Sequence, residues 1–276
     1  MNDWEDIERI LAVVNANCPD WRLTSICELG KGQSGAKVHL CENHNERPFV
    51  IKSFADPAQA MRELAAGHNA SKHFGFQLPH LGEEIALQNG ACFVMAMAGD
   101  IKARPLADLV RQAIADPNGR IYSVAQAAID AALESVKCKP DGVVQAFKPI
   151  TIDPAGRQRL SHLDPKLAAD VLDWWDRQCT HPDACREVAV AFAHGDFHSN
   201  NVIVQAAHQP PVTHVIDFAT SGAHPIFKDA ARLERDIRFS VFCPPPMAGR
   251  AAGERYLDDQ AQISGYLRIS CSKRLV

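Results

Sequence analysis

Long apolar runs are missing from this chain. The longest, such as Ala91 to Ala98, fall well short of the ~18 residues that suggest a membrane span, so no membrane-crossing helix is expected. A basic excess is missing as well. Twenty-nine lysines and arginines against 33 aspartates and glutamates leave a net charge of −4, which argues against electrostatic capture of nucleic acid. There is no CxxC pair, and nine scattered cysteines, an odd number, fit reduced thiols in a cytoplasm better than a disulfide framework. The cluster Cys179, His181 and Cys185 has zinc-ligand residue types but no second ligand pair at zinc-finger spacing, so ordinary half-buried thiols are expected there. The first six residues are acidic where a secretory signal needs a basic end followed by an apolar stretch. Repeats and low-complexity tracts are absent. What remains is a 276-residue chain, 46% hydrophobic and 22% charged, which is the composition of a globular protein with a core and room for one large domain or two modest ones.

Ile7, Ile10, Leu11 and Val14 recur at helical spacing, and Asn15, Asn17 and Pro19 punctuate the end of that helix. The period then changes to alternation from Trp21 to Cys27, a half-buried strand that leads into Gly30, Gly32 and Gly35. Ala36 to Cys41 and Pro48 to Phe54 read as further strands, and Pro57 to Lys72 as a helix. Glu84 to Gln88 and Ala91 to Met97 flank Asn89-Gly90, the preferred dipeptide of a two-residue hairpin. A five-stranded antiparallel sheet with one helix against it is therefore expected over residues 1–98. Beyond Gly99 the pattern is mainly helical. Leu106 to Ile114 and Tyr122 to Val136 are amphipathic, residues 137–162 are irregular, and Leu167 to Trp175 opens a strongly apolar helix ending near Gln178. Two short strands, Asn201 to Gln205 and Thr213 to Phe218, precede a last helix from Asp229 to about Phe242. The predicted class is α+β, with domains at 1–98 and 99–276.

The glycines of Gly30-x-Gly32-x-x-Gly35 are shared by several kinds of loop. A dinucleotide-binding fingerprint would open a helix at the third glycine, and a strand follows instead. A Walker A loop would continue Gly-Lys-Ser/Thr, whereas Gly35 is followed by Ala36-Lys37-Val38. What is left is a plain hairpin turn or a strand-loop-strand flap laid over nucleotide phosphates. Lys52 favours the flap. It sits in an otherwise apolar strand, on the same face as Val50, and needs an anionic partner. Glu63 in the next helix can supply one, and the pair can hold Lys52 against the α- and β-phosphates of ATP.

The most specific signal is His194-Gly195-Asp196-Phe197-His198-Ser199-Asn200-Asn201, followed downstream by Ile216-Asp217-Phe218. Two carboxylates and a carboxamide at the ends of paired strands can converge on one point, and all-oxygen ligation suits Mg2+. Asn201 and Asp217 would hold the metal. Asp196 is then free to orient a substrate hydroxyl and accept its proton.

Taken in order, Gly30, Gly32 and Gly35, Lys52, Glu63, the hinge-like Met95-Ala96-Met97-Ala98, HGDFHSNN and Ile216-Asp217-Phe218 resemble the aminoglycoside phosphotransferase and choline kinase group of the protein-kinase-like superfamily. The resemblance covers about residues 22–242. It implies a two-lobed fold, with a nucleotide-binding N-terminal lobe and a mainly helical C-terminal lobe that carries the catalytic and acceptor-binding residues. It also implies ATP and Mg2+ as cofactors, Asp196 as catalytic base, Asn201 and Asp217 as metal ligands, and Lys52 with Glu63 as the phosphate-positioning pair. The nucleotide site would further include Val38, Val50, Met95 and Met97. His194 is expected to pack the catalytic loop, and His198 either to steady that loop or to touch phosphate. Asp229 is expected to cap the last helix or brace the loop, whereas Glu234 and Asp236 read as a solvated face.

Only eleven residues, Phe218 to Lys228, separate Asp217 from Asp229. A protein kinase needs a longer peptide-docking segment there, and usually an arginine where this chain has Gly195, so a small hydroxylated acceptor is expected. Asp164, Asp170, Asp173, Asp176, Asp183 and Glu187 outnumber Lys166, Arg177 and Arg186, a modest excess for a cationic acceptor, and Trp174 and Trp175 can form an aromatic wall for a quaternary ammonium. Roughly 34 residues follow the last helix, fewer than the group usually carries, so the resemblance leaves two alternatives: a shortened acceptor pocket, or a homo-oligomer in which a partner subunit lends a wall. The competing class is a kinase-like regulatory module that binds nucleotide without turnover.

Overall fold

The computed structural model describes residues 6–31, 35–74, 81–100, 102–136, 143–147, 154, 157–158, 165–180 and 186–241. Gly32 of the glycine loop, and His181 and Cys185 of the cysteine-histidine cluster, lie outside these residues. Two compact units form. One is drawn from residues 1–137, 192–222 and 227–276, the other from 138–191 and 223–226.

Helix α1 (Ile7–Asn17) starts where the Asp6 carboxylate accepts a hydrogen bond from the Glu8 N–H at 3.1 Å. Eleven residues are too few for an isolated helix, since ~12–15 is marginal in water, so burial of Ile10, Leu11 and Val14 holds it. The strands β1 (Thr24–Lys31), β2 (Lys37–Glu42), β3 (Pro48–Phe54), β4 (Leu81–Leu87) and β5 (Gly90–Ala96) form an antiparallel sheet in the order β1-β2-β3-β5-β4. Helix α2 (Pro57–Phe74) opens on Asp56, whose side chain accepts from the Ala58 N–H at 2.9 Å, with Pro57 in the first turn, where no N–H is needed.

One face of this sheet carries Val50, Phe54, Phe93 and Met95 into a cluster with Ala60 and Leu64 of α2. The opposite face carries Cys41, Ile51, Cys92 and Val94 against the apolar stripe of α1. One helix was expected on the sheet and two cover it, because both faces of its central strands are apolar. The β4–β5 hairpin turns on Gln88 and Asn89 rather than on Asn89-Gly90. Gly90 instead opens β5 opposite Leu87, with φ +148°, a conformation that favours glycine.

Strand β6 (Arg104–Pro105) leads into α3 (Leu106–Ala115), which packs on α4 (Arg120–Ser135). Their stripes, Leu106, Leu109 and Val110 with Ala125, Ala128 and Ile129, share one buried cluster with Phe197, Val202, Val204, Val215, Phe218 and Leu233. Strands β9 (Val202–Gln205) and β10 (Val212–Val215) pair antiparallel, with β6 beside β9. The second of these strands was expected to run to Phe218 and stops at Val215, because Asp217 takes φ +66° and leaves the extended region. Helix α6 (Lys228–Asp236) continues as one π-helical segment, Ile237–Val241.

In the second unit, β7 (Val144–Phe147), β8 (Arg186–Ala193) and β11 (Gly222–Pro225) form a sheet in the order β11-β8-β7. Helix α5 (Pro165–Thr180) is not the strongly apolar helix expected, since Val171 and Trp174 are exposed on it. Among the described residues no helix is long and apolar enough to cross a membrane.

Candidate active site

Lys52 reaches Glu63 of α2 from the middle of β3 in a close ion pair, and its Nζ stands 3.9 Å from Oδ1 of Asp217. Register explains the placement. Val38 and Phe93 lie opposite Lys52, and Met95 lies opposite Val50, so these side chains share the face of the sheet that α2 covers. Burial pushes the Glu63 carboxyl above its ordinary range and Asp217 adds to this, while the Lys52 ammonium works against both. The far end of α2 is held independently. Phe74 packs on Phe218 and Phe192, with ring centroids 6.0 and 5.6 Å apart, and His73 stacks on Phe192 at 4.0 Å. The helix carrying Glu63 is thereby tied to the segment carrying Asp217.

The loop from His194 to Asn201 is built around a fully buried histidine. His194 Nδ1 accepts from the Asp196 N–H at 3.3 Å, so its Nε2 is the atom that donates to the Ile216 carbonyl, at 2.9 Å. Burial lowers its pKa, chiefly by desolvation, and the neutral ring serves as a strut between the two chain segments. Gly195 takes φ +85°, which fits glycine. Phe197 is buried in the cluster beneath and anchors the loop. The Thr220 hydroxyl donates to the His194 carbonyl at 3.2 Å, and the Ile216 N–H donates to Asn201 O at 3.0 Å.

Helix α6 clamps this loop from outside. The Asp229 carboxylate accepts from the N–H groups of His194 and Gly195, at 2.7 and 2.8 Å. About two turns further along the same face, Asp236 accepts from the Ser199 N–H at 2.8 Å and from its hydroxyl. Burial opposes the Asp236 charge, but the hydrogen bonds from Ser199 and Ser240, with His198 nearby, outweigh it and hold its carboxyl below the ordinary range. Asp229 as a brace was expected. Asp236 on a solvated face was not, and it is a correction: at 9% exposure it is part of the loop's support. Glu234 carries the ion pair expected of it, with Arg238 at 2.7 Å, from a half-exposed position. Sequence reasoning also passed over Arg232, whose Nη2 lies 2.5 Å from Oδ1 of Asp196. A signal was present: Asp229, Arg232, Leu233 and Asp236 recur at helical spacing, which puts three charges on the stripe that faces inward.

The remaining predicted residues fall around this centre. Gly30 lies in β1 opposite Val38, and Gly35 adopts φ +78° at the end of the glycine loop. Met95 is buried, and the Met97 N–H donates to Pro48 O at 3.3 Å. His198 brings Nε2 to 3.6 Å from Oδ2 of Asp196, while its buried Nδ1 has no hydrogen-bond partner among the described residues.

The donor set suits a hard cation. Asn201 Nδ2 donates to Asp196 O at 3.0 Å, so the amide presents Oδ1 as its free acceptor, and the Asp217 carboxylate is one-third exposed. Asp217 itself is a non-glycine residue in the left-handed region, a strain of the kind that clusters at functional sites.

A profile of the phosphotransferase enzyme family matches residues 25–266. The chain belongs to that phosphotransferase family. The profile spans the glycine loop, the Lys52–Glu63 pair and the whole loop from His194 to Asn201. A search of curated proteins finds no match to this phosphotransferase. Solved structures do resemble it. Aminoglycoside phosphotransferase APH(3'')-Id from Streptomyces rimosus is 14% identical, with 95% of this chain and 96% of that one covered and a TM-score of 0.50. A thermostable mutant of aminoglycoside phosphotransferase APH(4)-Ia in its apo form is 15% identical over 96% of this chain and 99% of that one, at a TM-score of 0.51. A further variant of it, in a ternary complex with AMP-PNP and hygromycin B, is 15% identical over 80% and 74%, at 0.52. The phosphotransferase thus has an α+β fold of the protein-kinase-like kind.

Proposed function

We propose that this phosphotransferase moves the γ-phosphoryl group of ATP to a hydroxyl of a small molecule. The observation that carries the proposal is the convergence of Lys52, held by Glu63, on Asp217, while Asn201 Nδ2 is bonded to the backbone of Asp196. Phosphoryl transfer needs a phosphate-positioning cation, oxygen ligands for Mg2+ and a carboxylate at the acceptor, and few other activities need all of them. Residues 1–98 would form the nucleotide lobe, with Gly30, Gly32, Gly35, Val38, Val50, Met95 and Met97 about the nucleotide, and residues 99–276 the catalytic lobe.

In the proposed reaction Lys52 binds the α- and β-phosphates. Asp196 orients the acceptor hydroxyl and takes its proton as the acceptor oxygen bonds to phosphorus and the bond to the β-phosphate oxygen breaks. Mg2+, when bound by Asn201 Oδ1 and Asp217, supplies positive charge against the phosphates. His198, with Nε2 3.6 Å from Oδ2 of Asp196, would either steady the loop or touch phosphate.

A small acceptor is supported by the eleven-residue segment from Phe218 to Lys228 and by the hygromycin B bound in one structural relative. The carboxylates of α5 give weaker support for a polycation, because Asp176 is held in a two-bond pair by Arg157 and Asp173 is paired with Arg177 at 2.7 Å. Among the described residues Cys18, Cys27, Cys41 and Cys92 are thiols outside any disulfide, which fits a cytoplasmic site of action.

Thermal melts with ATP, with and without Mg2+, on the wild type and Asp217→Ala test the proposal. At about 100 times the dissociation constant, binding adds ~2.7 kcal/mol, which moves a domain of this size by several degrees. The expected shift requires Mg2+ and vanishes in the variant. A shift without turnover on any small alcohol would favour the regulatory module, and no shift at all would remove nucleotide binding.

A further inference from the structure

We infer that Arg232 is a positioning residue for the transfer reaction, holding the Asp196 carboxylate so that one defined oxygen, Oδ2, is presented to the acceptor hydroxyl. The inference rests on the proposed role of Asp196 and adds a residue to it.

The geometry is built for this task. Asp229, Arg232 and Asp236 follow one another at spacings of three and four along α6, so they line one face of the helix. The outer two are bonded to the catalytic loop on either side of Asp196: Asp229 to the N–H groups of His194 and Gly195, Asp236 to the N–H and hydroxyl of Ser199. Leu233, only 1% exposed, seats the same face in the core. Arg232 is therefore carried on a helix whose position against the loop is set twice over, and its guanidinium meets the carboxylate it faces from a fixed platform.

The contact is asymmetric. Nη2 lies 2.5 Å from Oδ1, while His198 Nε2 stands 3.6 Å from Oδ2, beyond hydrogen-bond range. An unrestrained carboxylate would turn about its side-chain torsions and present either oxygen in several directions. With Oδ1 held, Oδ2 is left for a hydroxyl. The Arg232 Nε–H is buried without a hydrogen-bond partner among the described residues, so the guanidinium has not spent all its donors within the protein. One third of the Arg232 side chain stays exposed, and one fifth of Asp196.

The test uses the full chain and Mg-ATP, with water as the acceptor that every preparation contains, and follows steady-state ATP turnover and thermal melting together. Arg232→Ala is expected to lower kcat by about 100-fold, the scale of a misplaced reacting group, with KM for Mg-ATP changed less than about twofold. Added guanidinium ion, well below unfolding concentrations, is expected to restore at least about tenfold of that kcat in Arg232→Ala and none in Asp196→Ala. If Arg232→Ala melts early, the same split is read on Arg232→Gln, which keeps the length of the side chain and loses the charge. Turnover within about twofold of wild type in a folded variant overturns the inference alone. So does a loss that tracks melting and ignores guanidinium, because that marks a merely structural ion pair. Wild type that turns over no Mg-ATP, with water alone or with small alcohols added, removes the phosphotransferase proposal, and this inference with it.

Discussion

Asp196 and His194 are two residues apart and do different work. His194 is buried, neutral and bonded at both ring nitrogens, which leaves nothing with which to take a proton from a substrate. Asp196 is 20% exposed and keeps one carboxylate oxygen outside hydrogen-bond range of its neighbours. Asp196→Ala is accordingly expected to lower turnover by about 10²–10⁴-fold while Mg-ATP affinity stays within about twofold, as kinetics and titration on the same samples would show. His39 offers a prediction on stability. It is 3% exposed on β2, and neither ring nitrogen has a hydrogen-bond partner among the described residues. Burial lowers its pKa and Lys37 adds to this, while Glu28 opposes. The unfolded chain therefore takes up a proton below about pH 6.5 that the folded chain declines. Its contribution to stability is full above that pH and declines as pH falls toward the folded pKa, by at most about 1.4 kcal/mol per pH unit. Urea unfolding between pH 7.5 and 5.5 should show a shallower decline in His39→Leu than in wild type; equal slopes would count against this account.

At the scale of elements, α6 illustrates how little of a helix's role lies in its own hydrogen bonds. Its inner face supplies acceptors to three backbone N–H groups of the catalytic loop, whereas Glu234 pairs with Arg238 at a half-exposed position. The energies differ accordingly. Asp229→Ala strands two N–H donors at a site 3% exposed, and at ~1.5–3 kcal/mol for a hydrogen bond to a charged group a loss of about 3 kcal/mol is expected. Glu234→Ala removes an ion pair at the surface and should change stability by less than about 0.5 kcal/mol. Chemical denaturation of the two variants side by side measures the contrast, and similar losses would refute it. Helix α2 is tied at both ends in a comparable way, by Glu63 to Lys52 and by Phe74 to Phe218.

For the whole molecule, the eleven residues between Asp217 and Asp229 bear on the proposed choice of a small acceptor. Nothing in so short a segment can dock a peptide backbone in extended form, so a generic protein incubated with the enzyme and labelled Mg-ATP is expected to gain no label. Labelling at rates comparable to those on any small alcohol would reverse that expectation. The net charge of −4 agrees, since it offers no field to gather polyanions.

The sequence by itself determined the pieces that depend on local period and local chemistry. The first strand was legible from alternation and the others as short apolar runs, α2 from its helix-favouring composition, α3 and α4 from their amphipathic spacing, and the loop from His194 to Asn201 from its density of polar residues between two apolar runs. Tertiary structure decided what depends on residues distant in the chain. That α1 covers the second sheet face, that Asp236 belongs to the loop's support and that Arg232 meets Asp196 all follow from contacts across long separations, 36 residues for the last. A charged residue on a helix has the same local signature whether it faces water or a buried N–H. Only the packing of α6 against the loop separates Glu234, half-exposed, from Asp236, two residues on and nearly closed to solvent.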